Sequence, residues 1–295
     1  AVLFAATLVL AACHDKSAEQ AKQQAAVSAT PTLAVQTTAK LLEAGDFDGF
    51  WQHVLPPADY QTMRADWNRQ RQAKPVTDRD RQKFAASMAE LTAPGAEDAL
   101  YKKLQPTIRD YNSKYKNQLP VMIAIGQSVF ATQVDNSKTL TLEQKQQAKD
   151  TLAAVAQWAQ QAPWGDPAKA KQAVAVVVDT ARKLDLQTLD QARALDYPAA
   201  MQRYATAWLG AKQLLAIYGL ALDQAFDSVK TELTESKGDT ATVKLSYTLL
   251  DKPMTTDIHM IRENGRWYDA DLLDHWRKRQ TQPVAPAAAG TALHP

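Results

Sequence analysis

From residue 31 to about 225, apolar positions recur every three or four residues, the spacing of amphipathic helices; from about Phe226 they alternate one in two, as in half-buried strands. Leu33, Leu41 and Leu42 line a first helix that Gly45 ends, because glycine takes the left-handed C-cap conformation at no steric cost. Phe47, Phe50, Trp51 and Val54 form a second short stripe, closed by Pro56-Pro57. Further helices are expected over residues 59–73, 78–91, 97–104, 108–115 and 121–134. Four more are expected over 141–161, 167–184, 186–195 and 198–226. Thr141-Leu142-Glu143-Gln144 and Asp196-Tyr197-Pro198 read as N-caps, where a side-chain oxygen takes up a free backbone N–H and proline suits the first turn.

Residues 226–233, 243–249, 254–261 and 266–270 read as four strands joined by Lys237-Gly238-Asp239, Asp251-Lys252-Pro253 and Asn264-Gly265. Asn-Gly is the strongest of these turns, since a type I′ hairpin needs positive φ at both central residues. Leu272, Leu273 and Trp276 mark a short closing helix that folds back on the sheet. The expected fold is therefore α+β. A helix-rich region (31–225) is followed by a C-terminal four-stranded antiparallel meander with a terminal helix (226–280).

The ends of the chain differ from this body. Residues 1–10 (AVLFAATLVL) form an uncharged apolar run, too short for the roughly 20 residues a bilayer-spanning helix needs but fitting the core of a secretory signal. Leu10-Ala11-Ala12-Cys13 resembles the lipobox of bacterial lipoproteins. That resemblance implies a signal peptide over 1–12, removal of that peptide, and acylation of Cys13. The partner so implied is membrane lipid, held through acyl chains that each contribute about 0.8 kcal/mol per buried methylene. His14, rather than an acidic residue, follows the cysteine, which in this family favours the periplasmic side of the outer membrane. Residues 13–30 are polar and rich in Ala and Gln, and read as a tether; residues 281–295 read as a disordered tail.

A second resemblance joins the two halves. Residues 40–60 (KLLEAGDFDGFWQHVLPPADY) and 262–269 (RENGRWYD) look like the opening helices and closing hairpin of small envelope proteins with the nuclear transport factor 2-like cone fold. The resemblance implies a pocket between sheet and helices, with a long helical insertion ahead of the sheet.

Composition narrows the function classes. Thirty-four basic against 32 acidic residues give a net charge of +2, which argues against a nucleic-acid partner. Cys13 is the sole cysteine, so no internal disulfide can brace the fold. Ser113-Lys114-Tyr115-Lys116 satisfies the S-x-x-K spacing of penicillin-recognising enzymes, but the companion S-D-N and K-T-G elements are missing. Asp271, Asp274 and His275 lie close in sequence without completing a metal-ligand pattern, and no cofactor motif occurs. Basic residues cluster between Arg64 and Lys83, including Arg69 and Arg71, and again from Lys102 to Lys116. Trp164, in an Ala-Pro-Trp-Gly-Asp-Pro loop, is the best single interface anchor, and Arg69 and Arg71 are candidates beside it.

The leading expectation is a non-catalytic envelope lipoprotein that binds a periplasmic or envelope protein, for example as an inhibitor or immunity protein against a periplasmic toxin. The competing expectation is a ligand-binding or enzymatic pocket between sheet and helices, with Tyr247, His259, Trp267 and Tyr268 on its walls.

Overall fold

The computed structural model describes residues 28–73 and 75–281. The segment expected to be a signal peptide, Cys13 and most of the segment read as a tether lie outside the described residues, as do residues 74 and 282–295.

The helices begin and end where local chemistry directs. Thr30 accepts the Leu33 N–H and Pro31 opens α1 (Pro31–Ala44). Gly45 closes it at φ 70°, with the Gly45 and Asp46 N–H groups turned back onto Leu42 and Leu41. A Cβ at Gly45 would lie 2.9 Å from Trp208 Cδ1, so this glycine provides close approach as well as the turn. Asp46 caps α2 (Phe47–Val54) through the Gly49 N–H, and α3 (Pro57–Ala73) follows. Capping boxes start α4 (Asp78–Thr92) at Thr77/Asp80 and α7 (Leu142–Gln161) at Thr141/Gln144. Another, at Thr188/Gln191, starts α9 (Leu189–Ala194). Asp166 and Asp196 cap α8 (Pro167–Leu184) and α10 (Tyr197–Ile217), each with proline in the first turn.

Three helical expectations are corrected. The segments expected over 97–104 and 108–115 are one helix, α5 (Ala96–Asp110), with Pro106 inside it, followed by a π turn at Tyr111–Tyr115 and then α6 (Leu119–Asn136). Pro106 costs one hydrogen bond, but Ala96 and Ile108, on either side of it, are both buried and hold the rod together. The single helix expected over 198–226 is broken at Gly219, where φ is 95°, into α10 and α11 (Leu222–Asp227). Phe226 therefore lies in a helix, and the first strand starts at Lys230, later than expected.

The helical body centres on α8, whose buried Ala170, Ala173, Val174, Val178 and Ala181 meet α4, α5 and α10. Small residues permit tight crossing: a Cβ at Gly210 of α10 would meet Thr180 of α8 at 2.2 Å.

The sheet runs β1 (Lys230–Lys237), β2 (Thr240–Leu249), β3 (Lys252–Glu263), β4 (Arg266–Asp269), all neighbours antiparallel and in sequence order. Asn264 and Gly265 have φ of 51° and 79°, as the Asn-Gly signal predicts; Leu250 and Asp251 adopt the same hairpin turn at 52° and 62°. α12 (Ala270–Thr281) folds back, burying Leu273 and Trp276 with Val54, Leu55, Tyr60 and Tyr268.

Register divides the sheet into two faces. Ala241 pairs with Met260, Val243 with Ile258 and Tyr247 with Met254, so these side chains share one face, joined by Trp267. Ala34 and Val35 of α1 pack on this face. β4 pairs only with Met260–Glu263, and α7 packs beside the longer remainder of β3.

Replacing Gly45 with Ala should lower the unfolding free energy by about 1–3 kcal/mol, because a Cβ is disfavoured at positive φ and meets Trp208 here. Gly238→Asn, also at positive φ but facing open space, should change it by less than about 0.5 kcal/mol. Urea denaturation of the two variants checks the contrast.

Candidate functional site

α1, α2, α11 and the inner sheet face enclose a cavity of about 370 Å³. Ala34, Val35, Ala39 and Leu42 supply the α1 wall, Leu222, Ala225 and Phe226 the α11 wall. Leu245, Leu249, Ile258 and Met260 form the sheet floor. Helical spacing puts the first two sets on single faces, and strand alternation puts the last on one side of the sheet. Few polar groups interrupt this lining: Thr38, His53, Gln147, Tyr247, Trp267 and Asp269.

His53 is a fastener between three segments. Its Nε2–H donates to Ala34 O at 2.8 Å, and its Nδ1 lies 3.3 Å from Ser28 Oγ, a hydroxyl that donates to the neutral ring and accepts from the protonated one. Ser28 O in turn accepts the Trp267 N–H at 3.2 Å, tying the residues before α1 to β4. Burial lowers the imidazole pKa below the ordinary histidine value of 6.5, and the Arg266 guanidinium acts in the same direction; the Ala34 bond opposes both. With both ring nitrogens engaged, His53 is a structural residue at the cavity wall.

Asp269 is the carboxylate of the cavity. Its Oδ1 accepts the Leu272 N–H at 2.9 Å and so caps the start of α12. Burial raises its pKa above the usual aspartate value, with Asp271 adding in the same direction. Tyr247 OH accepts a long bond from Gln147 Nε2 at 3.4 Å, which brings α7 to the rim.

Of the four residues read as pocket candidates, Tyr247, Trp267 and Tyr268 line this cavity. Tyr268 also packs into the α12 cluster with Leu273 and Trp276, under Arg266 at 5.3 Å; burial raises its pKa. His259 is elsewhere. It lies between Ile258 and Met260, so the two-residue period turns it to the opposite face, where it sits 3.6 Å from Asp271 and half exposed. Its pairing with Thr242 places it over the polar side of β2.

The interface candidates are largely engaged within the chain. Trp164 donates its indole N–H to Ala159 O at 2.7 Å and packs on Trp158 and Tyr218, so its loop is braced by an aromatic cluster. Arg71 donates to Leu195 O and Ala192 O and covers the Trp67 ring at 4.3 Å, docking α3 against the end of α9. Arg69 is exposed beside Asp66. Ser113 Oγ donates to Arg109 O at 2.8 Å within the π turn, and Lys114 pairs with Asp110. Among the described residues, no three His, Cys, Asp or Glu side chains are grouped to hold a metal ion, and no helix is long and apolar enough to cross a membrane.

Sequence reasoning missed two polar clusters, which are assembled by the packing of separate helices. Asp48 accepts from Tyr60 OH at 2.5 Å and from Gln52, while Arg64 lies over the Tyr60 and Tyr197 rings. Burial, reinforced by Asp48, pushes the Tyr60 phenol up to about 12. Lys212, buried on α10, donates to Glu43 O at 2.6 Å at the C-terminal end of α1 and pairs with Asp223. An isolated lysine inside an apolar helical stretch was the available signal for the second.

No family model matches the chain, and neither a curated protein nor a solved structure matches it.

Because the unfolded chain takes up a proton at His53 more readily than the folded one, stability should fall as pH drops through about 6.5. Asp269, whose pKa is raised, contributes in the opposite sense at more acidic pH. The difference between wild type and His53→Gln in thermal melts across this range isolates the histidine: the variant should show the flatter dependence.

Proposed function

We propose that this protein is a lipid-anchored binding protein of the bacterial envelope that holds a small, mainly apolar molecule, or the apolar end of a larger one, between α1 and the sheet. The cavity of about 370 Å³ carries this reading, since its volume and largely aliphatic lining match those of small-molecule sites. The anchor follows from the lipobox resemblance at Cys13, and with it the periplasmic side of the outer membrane as the setting. Trp267 and Asp269 stand two residues apart on β4, on the cavity side, so an indole N–H and a carboxyl can engage one polar end of an otherwise apolar ligand. A hydroxyl or an amine suits that pair.

Binding, rather than turnover, is the better account of these groups. His53 has both nitrogens committed to Ala34 and Ser28, and Asp269 is committed in part to capping α12. The alternative of a toxin inhibitor rests on the envelope address alone; the engaged state of Trp164 and Arg71 gives it little support.

The uncharged fluorophore N-phenyl-1-naphthylamine serves as probe. It should bind saturably at one site per chain, and Ala39→Phe or Leu245→Trp, which fill the cavity, should each weaken binding by about tenfold or more, a loss of roughly 1.4 kcal/mol. Equal affinity in wild type and both variants would remove the cavity as the site. Incorporation of radiolabelled palmitate that Cys13→Ser abolishes is the matching result for the anchor.

A further inference from the structure

α6 is an unusual helix for a water-exposed surface. Residues 117–134 contain no charged side chain. α6 meets the rest of the protein mainly through α7, along a strip of less exposed residues four or three apart: Leu119, Ile123, Gln127, Ala131 and Val134. On the other side, Val121, Met122, Ile125 and Val129 stand 62, 60, 61 and 55% exposed, and Phe130, at the border of the α7 strip, 46%. A Cβ at Gly126 would meet nothing within 4 Å. At about 100° per residue, Val121, Ile125, Val129 and Met122 span roughly 100° around the axis.

The absence of charge beside this face helps to identify the occupant. A helix–helix seam is flanked by charged positions that stay in water, whereas residues 117–134 carry none, as suits contact with a planar apolar medium. The helix is about 27 Å long at 1.5 Å per residue, too short to cross the membrane and long enough to lie in its surface. Its N-terminal approach is basic. Lys102, Lys103, Arg109, Lys114 and Lys116 stand against Asp110 alone between residues 101 and 116. Asp110 and Glu90 pair with Lys114 and Lys103, while Tyr115 is exposed within this basic run. Positive charge and tyrosine at the border of an apolar helix are complementary to anionic headgroups above acyl chains.

We infer that α6 is a lipid-surface contact: its exposed face lies in the headgroup–acyl boundary of an anionic bilayer, with the preceding basic turn on the phosphates. This contact is separate from the acyl chains proposed at Cys13 and from the ligand cavity.

The test uses the full chain carrying Cys13→Ser, so that no acyl chain contributes, with a single new cysteine labelled by an environment-sensitive nitrobenzoxadiazole dye. The label sits at Ile125→Cys or, as control, at Asp179→Cys on the exposed side of α8. Vesicles of phosphatidylcholine containing phosphatidylglycerol should shift the emission at position 125 to the blue and brighten it several-fold. Pure phosphatidylcholine should produce little change, and position 179 should not respond to either. Arg109→Gln with Lys116→Gln should weaken partitioning of the 125-labelled chain onto the anionic vesicles by about thirtyfold. Silence at position 125, equal responses at 125 and 179, or no preference for the anionic vesicles would overturn the inference. So would a shift that needs no lipid and grows with protein concentration, which would identify a second copy as the occupant.

Discussion

β2 is apolar at every second position from Ala241 to Leu249, and β3 sets Met254, Ile258 and Met260 beside it around a buried Thr256; a four-stranded sheet has no means of covering the row this creates. Val243 is fully buried and Met260 nearly so, because α1 lies across them with Ala34 and Val35. Removing apolar surface from water stabilises by roughly 25 cal/mol per Å², so this covering is one of the contacts that hold the C-terminal half together. The contact joins the start of the described chain to its end. The His53 and Ser28 bonds hold the entry to α1 in place, and the helical body between them must return the chain to within reach of the sheet. α11 performs that return, and the space it leaves beside α1 is the cavity.

Much of this organisation was legible in the sequence. The change of hydrophobic period near Phe226, the Asn264-Gly265 turn and the proline and aspartate caps all act locally, so they can be read without knowing what the chain packs against. Errors arose where long-range packing competed with a local signal. The gap expected between 104 and 108 is absent, because the burial of Ala96 and Ile108 carries α5 through Pro106. The helix expected over 198–226 spans Gly219, yet a φ of 95° there ends α10 and lets α11 turn toward α1.

The site was legible in part for the same reason. Tyr247, Trp267 and Tyr268 could be assigned to the sheet by pattern, but the face each strand presents depends on register, and one step separates His259 from the cavity. His53 carried no sequence signal, since its partners Ala34 and Ser28 belong to another segment; Asp269 caps the next helix locally, but its place at the cavity follows from sheet register. The basic residues of α3 were visible as a cluster, but whether an arginine is free depends on its neighbours: Arg71 is committed to backbone carbonyls at the C-terminal end of α9, and Arg64 to two tyrosine rings.

The brevity of β4 has a further consequence. Four residues pair with a strand of twelve, so most of one side of β3 would present unsatisfied backbone N–H and C=O groups to any extended chain that came near. α7 stands at that border and blocks strand addition there. The opposite border, β1, is guarded differently: its register shifts between Leu233 and Glu235, and Lys230, Glu232, Glu235 and Lys237 line it with charge. α7 is also the main support of α6, so a force that drew the α6–α7 pair away from the body would unmask a template for β-type self-association. The helix that packs beside this border thus also carries, on α6, the largest group of exposed apolar side chains among the described residues.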